Sequence, residues 1–356
     1  VALRLICERE VEIESFDPQE YWKIKANVSL ADNTIEANLT HFNSEKIDKF
    51  TFKDQNEAQR VIESFKGKKF KLTDITKKPA SRNPDAPFST STLQQTASSI
   101  FGFGASRTMQ IAQRLFQGVE IDGETTGLIT YMRTDSTDLS KEAVDSYRKF
   151  INDNFASSYL PKEIRTFKSK KAKNAQEAHE GIRPTDVLRK PEEMKKYLDT
   201  DGFKLYDLIW KRSLASQMNS ATFERTTISI SSEDDSLKLR ANGSIQTFDG
   251  YLNIYSELNN KSDESDLDIA EEDKNLPIIN LKDKIEQVEA LSTQHFTLPP
   301  PRYSEATLVK KLEELGIGRP STYASIISVI SNRGYADVVN KRFFPTDRGK
   351  LLSAFL

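Results

Sequence analysis

The sequence predicts a multi-domain α+β protein in which a β-rich unit is interrupted by a helical one. Three observations carry this reading. Alternating, β-favourable segments occupy residues 21–30, 34–42 and 70–75 and return at 222–231, 236–241 and 284–297. Between the two groups, from about 89 to 218, apolar residues recur at helical spacing. Beyond residue 303 the spacing is helical again. A sheet built from two separated stretches of chain, with a helical insertion between them, is the economical arrangement.

Taken in order, residues 1–14 read as an amphipathic helix, and Ala31, Asp32 and Asn33 as a turn between the first two strands. Residues 77–87, rich in Pro, Ser and Asn, read as a linker. Ser91 with Gln94 reads as a capping box for a helix whose Leu93, Ala97, Ile100 and Phe101 share one face. Gly102-Phe103-Gly104 breaks that helix; a second runs over 107–117 and stops at Gly118. Further helices are expected over 140–155 and most of 191–220, and 248–255 reads as strand. Near the end, Ser304 can cap a helix with Leu308, Leu312 and Leu315 on one face. Ser321 can cap the next, with Tyr323, Ile326, Ile327 and Ile330 together. These last two helices echo the pair at 89–118: each unit runs helix, Gly-x-Gly, helix, Gly, and Thr108 and Thr322 each fall four residues after the second glycine. The later unit is followed by a short hairpin turning at Asn340-Lys341, as in a winged helix-turn-helix.

The chain's 356 residues suffice for several cores, and 37% hydrophobic with 29% charged residues fits a globular protein. No apolar run approaches the roughly 18 residues of a membrane span. One cysteine, Cys7, excludes a disulfide framework and a cysteine zinc site within the chain, and suggests a reducing compartment. The sequence opens at Val1 in what reads as mid-helix, so both ends are expected to be cut points of a longer protein. Net charge is −2, but it is unevenly spread: residues 162–190 hold nine Lys/Arg against four acids, whereas 257–273 hold eight acids and one Lys. A local basic segment binds phosphate whatever the total charge.

Three clusters carry chemistry. In GLITYMRTDS (127–136), residues 128–132 are apolar and β-like, which places Tyr131 near the end of an extended run. On extended backbone Arg133 falls on the same face as Tyr131. A tyrosine hydroxyl, with a free pKa of about 10, is a poor nucleophile unless a neighbouring cation offsets the developing charge. The planar guanidinium of Arg133 can hold the phosphate under attack. In AHEGIRPTD (178–186), His179 and Arg183 lie four apart, at or near a helix, where both can reach one anion; the basic tract with Lys170 and Lys171 precedes them. In LPPPRYSEATLVKKLEELGIGRPSTYASII (298–327), Arg319, Ser321 and Thr322 lie at the start of the second helix, where unpaired N–H groups favour anions.

These three motifs, with PFSTSTLQQ (87–95) and FDGYLNIY (248–255), resemble bacterial DNA topoisomerase I of type IA over essentially the whole chain. The resemblance implies a toroidal type IA core, with a β-rich arch and helical domains containing winged-helix or helix-turn-helix-like units. Residues 12–88 and 219–290 would form the arch, 89–218 a helical gate, and 1–11 with 291–356 a DNA-binding base. Tyr131 would be the nucleophile that forms a 5′-phosphotyrosyl link, Arg133 would grip the scissile phosphate, and His179 would assist. Arg183, Arg302, Arg319, Ser321, Thr322, Lys170 and Lys171 would contact single-stranded or negatively supercoiled DNA. The resemblance also implies Mg²⁺, held by a Toprim domain that this sequence does not contain. Asp266 and Asp268, the one tempting Asp-x-Asp nearby, lack a third acid and flanking strands and are rejected as a metal site. The chain alone is therefore expected to bind no metal and to relax no DNA, and the protein is expected to be a monomer in the bacterial cytoplasm, on the nucleoid, without membrane contact. Two other readings are a non-catalytic single-strand clamp and, last, a tyrosine recombinase, whose nucleophile would lie near the end of its domain among other neighbours.

Overall fold

The computed structural model describes residues 1–30, 33–167, 179–255 and 276–355. The chain opens with α1 (Ala2–Glu14), β1 (Glu20–Leu30), β2 (Asn33–Phe42) and the short β3 (Glu45–Lys46). Next come α2 (Gln55–Ser64) and β4 (Phe70–Arg82). The helical stretch holds α3 (Thr90–Phe101), α4 (Ala105–Gln117), a small hairpin of β5 (Val119–Ile121) and β6 (Glu124–Thr126), α5 (Lys141–Asn154), α6 (Pro191–Met194) and α7 (Thr200–Ser216). Strands β7 (Ala221–Ser232) and β8 (Leu237–Phe248), the single turn α8 (Leu252–Tyr255) and β9 (Ile285–Phe296) return to the sheet. The end comprises α9 (Glu305–Glu314), α10 (Tyr323–Asn332), the hairpin β10 (Ala336–Val339) and β11 (Arg342–Pro345), and α11 (Asp347–Phe355).

The main sheet is antiparallel, in the order β4-β7-β8-β2-β1-β9, with β3 on β2. Strands from before and after the helical insertion thus interleave, β2 pairing β8 and β1 pairing β9, as the two strand groups predicted. One face buries Ile24, Ala26, Val28, Ala37, Ile228 and Ala241 against Ala58 and Val61 of α2. Two further cores exist among the described residues. One gathers α3–α7 with α8, and the other joins α1 to α9, α10 and β11.

Several local expectations need correction. Strand β4 runs through most of the supposed linker, pairing Lys77 to Arg82 with β7; Pro79 is tolerated because β4 is the edge of the sheet. Helix α2 was not anticipated, although Asp54 caps it by accepting from the Glu57 N–H at 2.9 Å. Residues 248–255 are not all strand. Gly250 has φ +52, and a Cβ there would meet the carbonyl oxygen of Ser220 at 2.5 Å. The chain therefore turns, and Tyr251, Leu252 and Tyr255 enter the helical core. Helix α3 starts from a Ser89–Thr92 capping box instead of Ser91–Gln94, because the Ser-Thr-Ser-Thr run offers two frames two residues apart. Leu315 ends α9 as its C-cap and stays exposed. Ser321 does not cap α10: Thr322 is the N-cap, and its hydroxyl accepts from the Arg319 N–H at 2.8 Å. The turn at Ala31-Asp32, the basic residues Lys170 and Lys171, and Asp266 and Asp268 lie outside the described residues. The hairpin at Asn340-Lys341 forms, with both residues at positive φ as a tight two-residue turn requires.

Candidate active site

Residues 127–136 leave the β5–β6 hairpin and cross the helical core as extended chain. Leu128, Ile129 and Met132 are fully buried, whereas Tyr131 and Arg133 emerge on the surface. The alternation is the one expected for Tyr131 and Arg133, although pairing is limited to a bridge between Ile129 and Pro184. Tyr131 is 37% exposed. Phe116 packs edge-on against one side, with centroids 5.4 Å apart, and His179 stands 5.2 Å away on another. Arg133 donates from Nη1 to the carbonyl of Ser321, 3.2 Å away. The nucleophile candidate, its cation and the start of α10 are thereby joined.

Two threonines hold this segment. Thr130 donates from Oγ1 to the Gly181 carbonyl at 2.9 Å and accepts from the Arg183 N–H at 3.1 Å, fixing the stretch that presents His179. Thr90, at the start of α3, donates to the Met132 carbonyl at 2.7 Å and accepts from the Thr134 N–H at 2.8 Å. Both were overlooked in the sequence, where a threonine beside a motif carries no mark of its long-range partner.

The second motif departs from its expected form. Residues 179–186 are extended, with a bridge between Phe88 and Ile182, so His179 and Arg183 do not share a helical face. Arg183 instead closes its fork on Glu180, Nε to Oε2 at 2.8 Å and Nη2 to Oε1 at 3.0 Å. Burial acts to raise the Glu180 pKa, but the Arg183 pair and the Ser140 N–H outweigh it and hold the carboxyl below its ordinary value. Arg302 is engaged in the same way. Its fork closes on Glu10 at 2.8 and 2.7 Å, beside the Phe344 ring, and this pair keeps Glu10 below the usual carboxylate range. In each arginine the Nε–Nη2 edge is taken by an internal carboxylate. Arg319 lies near the start of α10 and donates to the Gly318 carbonyl at 2.8 Å.

A groove of about 1020 Å³ opens beside Arg133, between α4 and α10. Arg107, Gln110, Gln113, Arg114, Ser321 and Ser325 line it together with one acid, Asp201; Arg107 pairs with Asp201 and Arg114 with Asp199. Among the described residues, no cluster of three or more His, Cys, Asp or Glu could hold a metal ion. No helix among them is long and apolar enough to cross a membrane.

The fold and site define a class: a several-cored α+β protein that presents an exposed tyrosine beside a histidine, with an arginine two residues on that lines a polar groove. Over residues 1–356 the chain matches the DNA topoisomerase family, and it belongs to that family. It is 49% identical to DNA topoisomerase 1 of Rickettsia bellii over 357 residues, all of this chain and 44% of that protein. It is 44% identical to DNA topoisomerase 1 of Zymomonas mobilis over 356 residues, 28% of that protein. The full-length topoisomerase I structure from Thermotoga maritima aligns with a TM-score of 0.81 at 35% identity, covering 100% of this chain and 54% of that one. The chain thus spans about half or less of the length of these relatives. The type IA resemblance read from its motifs holds across the whole sequence.

Proposed function

We infer that this chain carries the nucleophile and part of the strand-holding surface of a type IA topoisomerase that relaxes negatively supercoiled DNA. The exposed ring of Tyr131 beside His179, with Arg133 on the same face, carries the reading. The phenol oxygen attacks a DNA phosphorus and the bond to the 3′ oxygen breaks. A 5′-phosphotyrosyl link and a 3′ hydroxyl result, the phenol's proton being balanced by the one the leaving oxygen gains. The phosphodiester energy is kept in the link, so reversal reseals the strand with no other energy source. Arg133 steadies the phosphate as charge builds, and His179 stands close enough to assist.

Single-stranded DNA would follow the groove between α4 and α10, past Arg133, Arg319, Ser321 and Thr322, with Lys170 and Lys171 adding charge. Arg183 and Arg302 serve this surface indirectly, by fixing Glu180 and Glu10. Residues 89–218 act as the gate, 12–88 with 219–290 as the arch, and 1–11 with 291–356 as the base. The three separate cores support this division, although Tyr251, Leu252 and Tyr255 pack with the gate. Mg²⁺ and the acid that protonates the leaving oxygen would come from the Toprim portion of the whole enzyme, a monomer acting on the nucleoid in the cytoplasm.

The test is relaxation of a negatively supercoiled plasmid by a complete topoisomerase carrying this chain. Replacing Tyr131→Phe is expected to abolish relaxation and leave oligonucleotide binding within about twofold, since only the reacting oxygen is lost. Relaxation that survives this change would overturn the assignment.

A further inference from the structure

Arg133 projects into solvent from between two buried residues, Met132 at 0% and Thr134 at 3% exposure. A long side chain on irregular chain has no secondary structure to aim it, so its direction must come from whatever holds the backbone on either side. At residues 132 and 134 that holder is Thr90, while the guanidinium itself donates to the Ser321 carbonyl. The hydroxyl of Thr90, itself 0% exposed, donates to the Met132 carbonyl and accepts from the Thr134 N–H, and the Thr90 N–H donates to the Thr134 carbonyl at 2.9 Å. Three hydrogen bonds from a single residue therefore bracket Arg133, and the first of them grips the residue next to Tyr131.

The rest of α3 offers no substitute. Gln94, one turn further along the same face, is 1% exposed, and neither amide atom has a hydrogen-bond partner. Ser91 turns the other way and donates to Oε2 of Glu313 on α9 at 2.7 Å. The first turn of α3 thus grips the nucleophile segment through Thr90 and the facing helical unit through Ser91.

We propose that Thr90 is a positioning residue for the cleavage reaction, its hydroxyl setting the direction of Arg133 and the placement of Tyr131 against the phosphate. This rests on the reading of Tyr131 as the nucleophile and adds to it. Thr90 touches no substrate; it acts through the backbone of residues 132–134. Catalytic groups must be held within a fraction of an ångström, and a misplacement of about 1 Å costs on the order of 100-fold in rate. The substitution Thr90→Val keeps the shape and removes the hydroxyl, whereas Thr90→Ser keeps the hydroxyl and removes a methyl.

The experiment measures covalent adduct formation on a single-stranded oligonucleotide, by a complete topoisomerase carrying this chain, at saturating DNA. For Thr90→Val we expect the saturated rate to fall roughly 10- to 100-fold, with oligonucleotide affinity within about twofold of the parent. Thr90→Ser is expected to remain within about threefold of the parent rate. A residue that merely supports the fold would lower stability and leave the saturated rate alone. A Thr90→Val rate within twofold of the parent, or a Thr90→Ser rate reduced 10-fold or more, overturns the proposal. Should Thr90→Val fail to fold, the Thr90→Ser rate decides on its own by the same limits. Tyr131→Phe is run alongside. An adduct that persists in that variant defeats the reading of the nucleophile, an outcome separate from any result at Thr90.

Discussion

The helical unit α3–α4 and its later echo α9–α10 begin alike and end in different employment. Each opens with a serine N-cap whose hydroxyl accepts from the N–H three residues on, where a threonine returns the bond: Ser89 with Thr92, Ser304 with Thr307. The residue after the cap makes the difference. In α3 it is Thr90, buried and turned onto the backbone of residues 132–134. In α9 it is Glu305, whose Oε2 accepts from the Ala105 N–H at 2.6 Å and so caps α4 of the other unit. Helix α4 has only Gly104 at its own cap, and a Cβ there would meet both Glu305 carboxylate oxygens at 3.1 Å. The glycine makes room for a cap supplied from across the interface. Ser106 and Ser328, 2.7 Å apart, and Ser91 with Glu313 complete a largely polar seam. The local pattern makes two similar helical hairpins; one residue beyond each cap decides whether a hairpin grips residues 132–134 or caps the other unit.

Substituting each of the two residues gives the widest contrast. Thr90→Glu would bury a carboxylate with no partner and is expected to cost about 3–5 kcal/mol, read as a lowered urea midpoint. An unchanged midpoint would mean that Thr90 is not enclosed as described. Glu305→Ala removes a cap supplied from outside the helix and should cost only about 1 kcal/mol. Its effect should appear as faster amide exchange at the start of α4, with the first turn of α3 unaffected. Equal loss of protection in both turns would erase the distinction between the units.

The smallest effect concerns the carboxylates closed on arginine forks, Glu180 with Arg183 and Glu10 with Arg302. Both have folded pKa values below their ordinary ones. Their stabilisation is therefore present above the ordinary carboxylate value of about 4.3 and is lost as pH falls through the lower folded values. Either Glu180→Gln or Glu10→Gln should flatten the acid side of the stability profile below about pH 4.3. A profile as steep as the parent's in both variants would show that these pairs do not control acid sensitivity.

Much of this organisation was legible in the sequence because it rests on local physics. The spacing of Leu93 and Ala97, or of Leu308 and Leu312, marks buried helix faces; alternation across 21–30 marks a strand; positive-φ residues at Asn340-Lys341 mark a tight turn. The exposed Tyr131–Arg133 face followed from the two-residue period of extended chain. What stayed hidden depends on distant partners. Pro79 reads as a breaker until β7 pairs with it at the sheet edge. Arg302 reads as a free cation until Glu10, 292 residues away, closes its fork. Thr90 and Thr130 are unremarkable until residues 132–134 fold onto the first and 181–183 onto the second.

The central claim is that the phenol oxygen of Tyr131 becomes bonded to DNA. The most direct measurement traps the adduct of a complete topoisomerase carrying this chain with a single-stranded oligonucleotide, digests the protein and locates the attached nucleotide by mass spectrometry. The account predicts a 5′-phosphate carried on the peptide containing Tyr131 and on no other. Nucleotide mass on a different tyrosine, on a serine, or on His179 would contradict it.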